Sequence, residues 1–362
     1  MKRQTRKPVS RASRDILIGS GALIALVVLG LVVIPHVFAT TYERGTSAAT
    51  STGLFAKKPE EPKKLDTALY DKLMLQMANL GTTTASSSPS LWPPDAAYPL
   101  PGALLPFNRI IAYYGNFYST KMGVLGEYPE AQMLQMLKGE QERWEAADPT
   151  TPTVPAINYI AITAQELPGR EGNYMLRMPD SEVDKAVALA QKIDGIVILD
   201  IQIGFSSLEK ELPLLDKYWA MPNVHLGLDP EFHMIGEESP GHVIGSYDAR
   251  HINYAAEYLA DFVREHNLPP KVIIVHRFTQ KMVTNYQNIK PLPEVQIVMD
   301  MDGWGSPAKK LNTYKQFIIP EPVQFTGFKI FYKNDLKPPS ERLLTPVELI
   351  KLSPRPMFIQ YQ

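Results

Sequence analysis

The chain has 362 residues, a formal net charge of −1 and no cysteine. Near-neutral charge excludes a global field that would recruit nucleic acid or anionic lipid. Missing thiols exclude disulfides, thiolate metal sites, cysteine nucleophiles and lipid attachment through cysteine, and 44% hydrophobic with 21% charged residues is the composition of a folded protein with a sizeable core.

The N-terminus is basic, with Lys2, Arg3, Arg6, Lys7, Arg11 and Arg14, and residues 16–34 then carry no charge. Nineteen residues at a rise of ~1.5 Å reach ~29 Å, about one bilayer core. The positive flank stays on the cytoplasmic side, so residues 1–15 read as a cytoplasmic segment and 16–38 as a transmembrane helix or signal anchor. The rest of the chain is then expected outside the cell membrane, or secreted if a signal peptide is cleaved after Ala39. Residues 39–100, rich in Pro, Ser and Thr, read as a spacer, with one short amphipathic helix between 65 and 80.

From residue 101 to 362 the pattern becomes regular. Apolar, strand-like runs occupy 110–114, 156–162, 195–203, 224–228, 271–276, 295–301, 327–332 and 357–361. Helical stretches with start signals separate most of them: Ser181 opens one through Lys192, and Ser206 to Glu209 resembles a capping box. Asp248 precedes an apolar stripe at Ile252, Ala255, Ala256, Leu259, Phe262 and Val263, and Thr345-Pro346-Val347-Glu348 opens the last helix. Eight runs alternating with helices predict an α/β fold, a (β/α)8 TIM barrel with no helix after the eighth strand. A doubly wound sheet fits less well, because Tyr113-Tyr114-Gly115-Asn116 after the first strand is too bulky for a phosphate turn.

In such barrels the chemistry sits where strands run into the following loops. The fourth run ends in Asp229-Pro230-Glu231, and continued strand alternation would put both carboxylates on one face, Cα atoms about 6.5–7 Å apart. Other strand ends supply candidate binding groups: Asp200 and Gln202, His276, Asp300 and Asp302, with Tyr113, Trp304 and Tyr332 as flat faces for sugar rings. Neighbouring carboxylates raise each other's pKa, which keeps an acid protonated near neutral pH, as glycoside hydrolysis requires. A metal-dependent hydrolase would use His225, Asp229, His233, His276 and Asp300 as ligands, yet no His-x-His ends the first strand and no His-Glu-x-x-His occurs. A non-catalytic barrel that binds carbohydrate or protein is a third reading.

Leu228-Asp229-Pro230-Glu231, an Asp-x-Glu closing the fourth barrel strand, resembles the strand ends of chitinase-type and muramidase-type glycoside hydrolases. The resemblance implies Glu231 as general acid and Asp229 as its helper, acting on a polysaccharide without metal or cofactor. The chain departs from those patterns in two places. Its fourth run lacks the further Asp residues of the chitinase pattern, and Tyr113-Tyr114-Gly115-Asn116 stands where muramidases end the first strand in Asp. The expectation is an exported glycan hydrolase with membrane contact through its N-terminal helix and no nucleic-acid partner.

Overall fold

A computed structural model describes residues 64–80 and 90–362. The basic segment and the apolar run expected to anchor the chain lie outside the described residues, and none of the described helices is long and apolar enough to cross a membrane. Eight parallel strands close into a barrel: β1 Arg109–Gly115, β2 Thr153–Ala164, β3 Ile196–Ile201, β4 Val224–Leu228, β5 Lys271–Arg277, β6 Val295–Met301, β7 Phe325–Ile330 and β8 Phe358–Tyr361. Closure is made at β1, where Ile110 pairs with Phe358 of β8 on one side and Val154 of β2 on the other. The predicted barrel is therefore present.

The helices on the outside begin where local chemistry favours them. The principal ones are α2 Glu130–Ala147, α3 Asp180–Gln191, α4 Ala249–His266 and α5 Pro307–Thr313, with α1 Thr67–Ala78 preceding the barrel. Asp248 caps α4 by accepting the Arg250 N–H at 3.1 Å, and Asn267 ends it in the left-handed region at φ 50°. Thr345 and Glu348 form the expected capping box. Two expected start signals are displaced. Ser181 lies inside α3, which starts after Pro179, and Ser206 hydrogen-bonds the Glu211 carboxylate instead of capping a helix.

The barrel wall divides the core in two, as the period of two along a strand requires. Ile111, Ile157, Leu199, Leu226, Ile273, Met299, Phe328 and Ile359 face outward into the layer shared with the helices. Ile110, Ala112, Ala156, Ile198, Val272, Ile274, Val298 and Phe358 face inward and fill the N-terminal half of the barrel. That inner core continues into α1, whose Tyr70, Met74, Met77 and Ala78 cover the barrel floor. Asn79 fixes the end of α1 by donating to the Lys351 and Leu352 carbonyls at 3.2 and 2.8 Å. The stretch 39–100 is thus not all spacer. Tyr70, Met74, Met77 and Ala78 belong to the barrel's core, and Trp92, also buried there, donates its indole N–H to the Ile319 carbonyl at 2.8 Å.

Candidate active site at the C-terminal mouth of the barrel

With the floor plugged by apolar side chains, a ring of mostly polar groups collects at the opposite end. The inward positions there are Tyr114 on β1, Asn158 on β2, Asp200 on β3, Gly227 on β4, His276 on β5, Asp300 on β6, Lys329 on β7 and Gln360 on β8. Gln202, Asp229 and Asp302 extend the same faces just past the ends of β3, β4 and β6.

These groups are joined almost continuously around the barrel. Gln360 donates to Asn158 Oδ1 at 2.8 Å, and Asn158 reaches Asp200 Oδ2 at 3.4 Å. His276 Nε2 stands 2.7 Å from the same Asp200 oxygen, while its Nδ1 faces Asp302 Oδ2 at 3.2 Å and Asp300 Oδ2 at 3.3 Å. Lys329 Nζ then lies 3.0 Å from Asp302 Oδ1 and 4.0 Å from the centre of the Tyr114 ring. On the other side, Gln202 donates to Tyr114 Oη at 3.3 Å and to Asp229 Oδ2 at 3.0 Å.

Room for this cluster comes from two glycines. Gly227 stands beside Asp200 in register and Gly327 beside Asp300. A Cβ at position 227 would sit 2.6 Å from the Asp200 carboxylate, and one at 327 would sit 2.5 Å from that of Asp300. Each carboxylate leans over the bare backbone of its neighbour strand.

The electrostatics separate the groups into neutral and charged. Burial alone would depress His276, but the carboxylates of Asp200, Asp300 and Asp302 hold it well above its usual pKa, so it is an imidazolium. Burial raises Asp300, only partly offset by His276, and neither of its oxygens has an aligned hydrogen-bond donor among the described residues. Asp302 goes the other way: burial pushes it up, but Lys329 and His276 outweigh that and hold it below its usual pKa. Glu231 is raised to about 8, first by burial and then by the charges of Asp229 and Asp302. Asp229 is raised to about 7, again chiefly by burial, with His276 opposing.

Asp229 and Glu231 do come together, though not by strand alternation. β4 stops at Leu228, and Pro230–Phe232 form a single 3-10 turn that Asp229 caps, its Oδ1 accepting the Glu231 N–H at 3.2 Å. Proline lacks the N–H that a strand ladder needs, so the turn is the expected consequence of Pro230. It lifts Glu231 to the rim, where its side chain is partly exposed, while Asp229 stays buried below.

Of the expected site residues, Glu231, Asp229, Asp200, Gln202, His276, Asp300 and Asp302 belong to this one cluster. Tyr113 and Tyr332 do not. Tyr113 faces the helix layer, its hydroxyl 3.0 Å from that of Tyr332, which in turn bonds the Glu140 carboxylate of α2. The residue that enters the barrel from the end of β1 is Tyr114. Trp304 stands at the rim, 38% exposed, two positions beyond Asp302. Lys329, Asn158 and Gly327 are site residues that strand-end reading passed over; their signal was parity with Asp300 and Asp200 across neighbouring strands.

The histidines expected as alternative metal ligands are dispersed. His225 lies near the floor and accepts the Val272 N–H at 3.0 Å through Nδ1, while His233 stacks on Tyr247 at 4.5 Å. Among the described residues no group of three or more metal-ligating side chains is arranged to hold an ion. Arg277, next to His276 on β5, faces outward and pairs with Glu321 at 2.5 Å.

No protein-family model matches the chain, and no curated protein matches it. The barrel and its polar mouth therefore carry the functional argument alone.

Proposed function

We propose that the protein is an extracytoplasmic glycan hydrolase, held at the membrane through its N-terminal apolar run, with Glu231 as general acid and Asp302 as its ionised partner. The observation that supports this reading is the opposed titration of two carboxyls at one mouth. Glu231 is pushed up to about 8 by burial and by neighbouring carboxylates, and Asp302 is held low by Lys329 and His276. A pair of carboxyls driven apart in this way divides into an acid and a base at neutral pH. Glycosidic cleavage needs that division: a proton for the leaving oxygen and a carboxylate to attack the anomeric carbon or to activate water.

In this mechanism Glu231 donates its proton to the glycosidic oxygen as the bond breaks, and Asp302 stabilises positive charge developing on the sugar ring. Asp229 holds the Glu231 main chain through the capping bond, and in its ionised form adds to the burial that keeps the Glu231 carboxyl neutral. The imidazolium of His276 and the ammonium of Lys329 balance the carboxylates, so Asp302 remains ionised despite burial. Assayed on a panel of polysaccharides, the full-length chain should lose cleavage on Glu231→Gln and on Asp302→Asn, with unchanged folding. Retained cleavage in the Glu231 variant would overturn the assignment.

A second reading, a glycan-binding barrel without turnover, is favoured by one feature. Lys329 already occupies Asp302, and Tyr114 fills the interior beneath. Glycan retention by the wild-type chain with no cleavage of any polymer would select this reading.

A further inference from the structure

Beyond the acid pair, the mouth carries a second arrangement on its rim, built from the loops after β6 and β7. Trp304 is half-exposed there, and two ammonium groups lie over its ring: Lys309 Nζ at 4.7 Å from the ring centre and Lys337 Nζ at 5.1 Å. The two lysines come from different elements, Lys309 from the first turn of α5 and Lys337 from the loop after β7.

The arrangement is held by backbone and buried charge. Gly305 has φ +140°, and a Cβ there would stand 2.7 Å from Lys309 Cδ, so the glycine lets the lysine stem cross towards Trp304. The buried carboxylate of Asp335 ties the loops together, accepting the Gly305 N–H at 2.9 Å and the Phe331 N–H at 2.9 Å, with Lys310 Nζ at 2.8 Å. Nearby lysines are neutralised by carboxylates: Lys310 by Asp335, Lys329 by Asp302 and Lys333 by Glu127. Lys309 and Lys337 have no carboxylate within ion-pair distance among the described residues.

We propose that the site takes an anionic glycan, with a sugar bearing a carboxylate or sulfate group stacked on Trp304 and its anion bound between Lys309 and Lys337. The inference rests on the glycan reading above and names its substrate class. An aromatic face offers stacking to the C–H face of a sugar ring, which every glycan has. The paired, uncompensated ammonium groups add what only an anionic sugar can use. Exposed cation–π contacts are weak, so an arriving anion can draw both ammonium groups off the ring and expose the face on which the sugar then rests. Because the chain as a whole is nearly neutral, at −1, the attraction is local to this rim.

Binding is measured with the full-length Glu231→Gln chain, so that cleavage does not interfere, against polygalacturonate, a sulfated galactan and a neutral β-glucan of similar length. The expected result is retention of an anionic polymer over the neutral one, weakened by added salt. Lys309→Gln and Lys337→Gln should each weaken it roughly threefold to fivefold, and Trp304→Ala about tenfold. Whether the uronate or the sulfated polymer binds more tightly identifies the anion. Equal retention of the neutral glucan, or anionic retention unaffected by either lysine variant, would overturn the proposal. Cleavage by the wild-type chain is scored separately, so neutral-glycan hydrolysis would refute the substrate class and leave the acid assignment standing.

Discussion

Lys329 and Asp302 pair across the neighbouring strands β7 and β6, Nζ 3.0 Å from Oδ1, at the centre of the barrel mouth. The ammonium is the largest influence holding that carboxylate ionised against burial. Lys329→Met removes it, so Asp302 should titrate higher and the acidic limb of the pH profile of kcat/KM should move up by about 1 unit or more. Lys329 also opposes the upward shift of Glu231, so the alkaline limb should rise as well. An unmoved acidic limb would show that Asp302 is not the group that must be ionised.

Glu231 gives a stability test that is independent of any substrate. Its folded-state pKa of about 8 lies above the unfolded value near ~4.3, so the folded state is favoured while the group is protonated. That contribution is fully present below pH ~4 and is lost as pH rises towards 8. Glu231→Gln removes the penalty of charging, so the variant should gain at least about 1 kcal/mol over wild type at pH 9 and almost nothing at pH 4. Urea denaturation at the two pH values measures the difference.

The bare strand positions beside the carboxylates should tolerate no side chain. Gly227→Ala would place a Cβ 2.6 Å from Asp200, and Gly327→Ala one 2.5 Å from Asp300. Both should cost about 1–3 kcal/mol through overpacking, with Asp200 displaced from His276 in the first case. Thermal denaturation gives the cost. A chemical-shift titration of His276 gives the displacement, expected as a lowered imidazolium pKa in Gly227→Ala.

The floor helix should matter as much as a barrel strand. Met74 is buried in the inner core with Val272, Ile274 and Phe358, so Met74→Ala should destabilise the fold by about 2–5 kcal/mol. Leu75→Ala on the outer face of α1, where the side chain is 61% exposed, should change stability by less than about 0.5 kcal/mol. Equal effects would mean that α1 does not close the barrel.

How much of this could be read in advance depended on the contrast between the two faces of each strand. At the C-terminal ends of β3 and β6 and just past them, polar and apolar residues alternate, so the inward direction of Asp200, Gln202, Asp300 and Asp302 was legible. β1 is buried on both faces, and Arg-Ile-Ile-Ala-Tyr-Tyr-Gly carries no such contrast, so nothing in it separates Tyr113 from Tyr114. Tyr332 lies beyond the end of β7 and turns to the helix layer, while Lys329, a residue type that usually signals exposure, is the one that enters. Pro230 marks the break that makes Glu231 a rim residue, and strand alternation does not extend through it. The floor helix was visible as an amphipathic stretch. Its partner surface was not, because the inner core it covers is assembled from seven strands far along the sequence.

That floor has a geometric consequence. The polypeptide preceding α1 reaches the barrel at the end away from Glu231 and Asp302. Unfolding that starts at α1 meets apolar packing before it reaches a titrating group, so it would loosen the base first and leave the proton balance at the rim undisturbed.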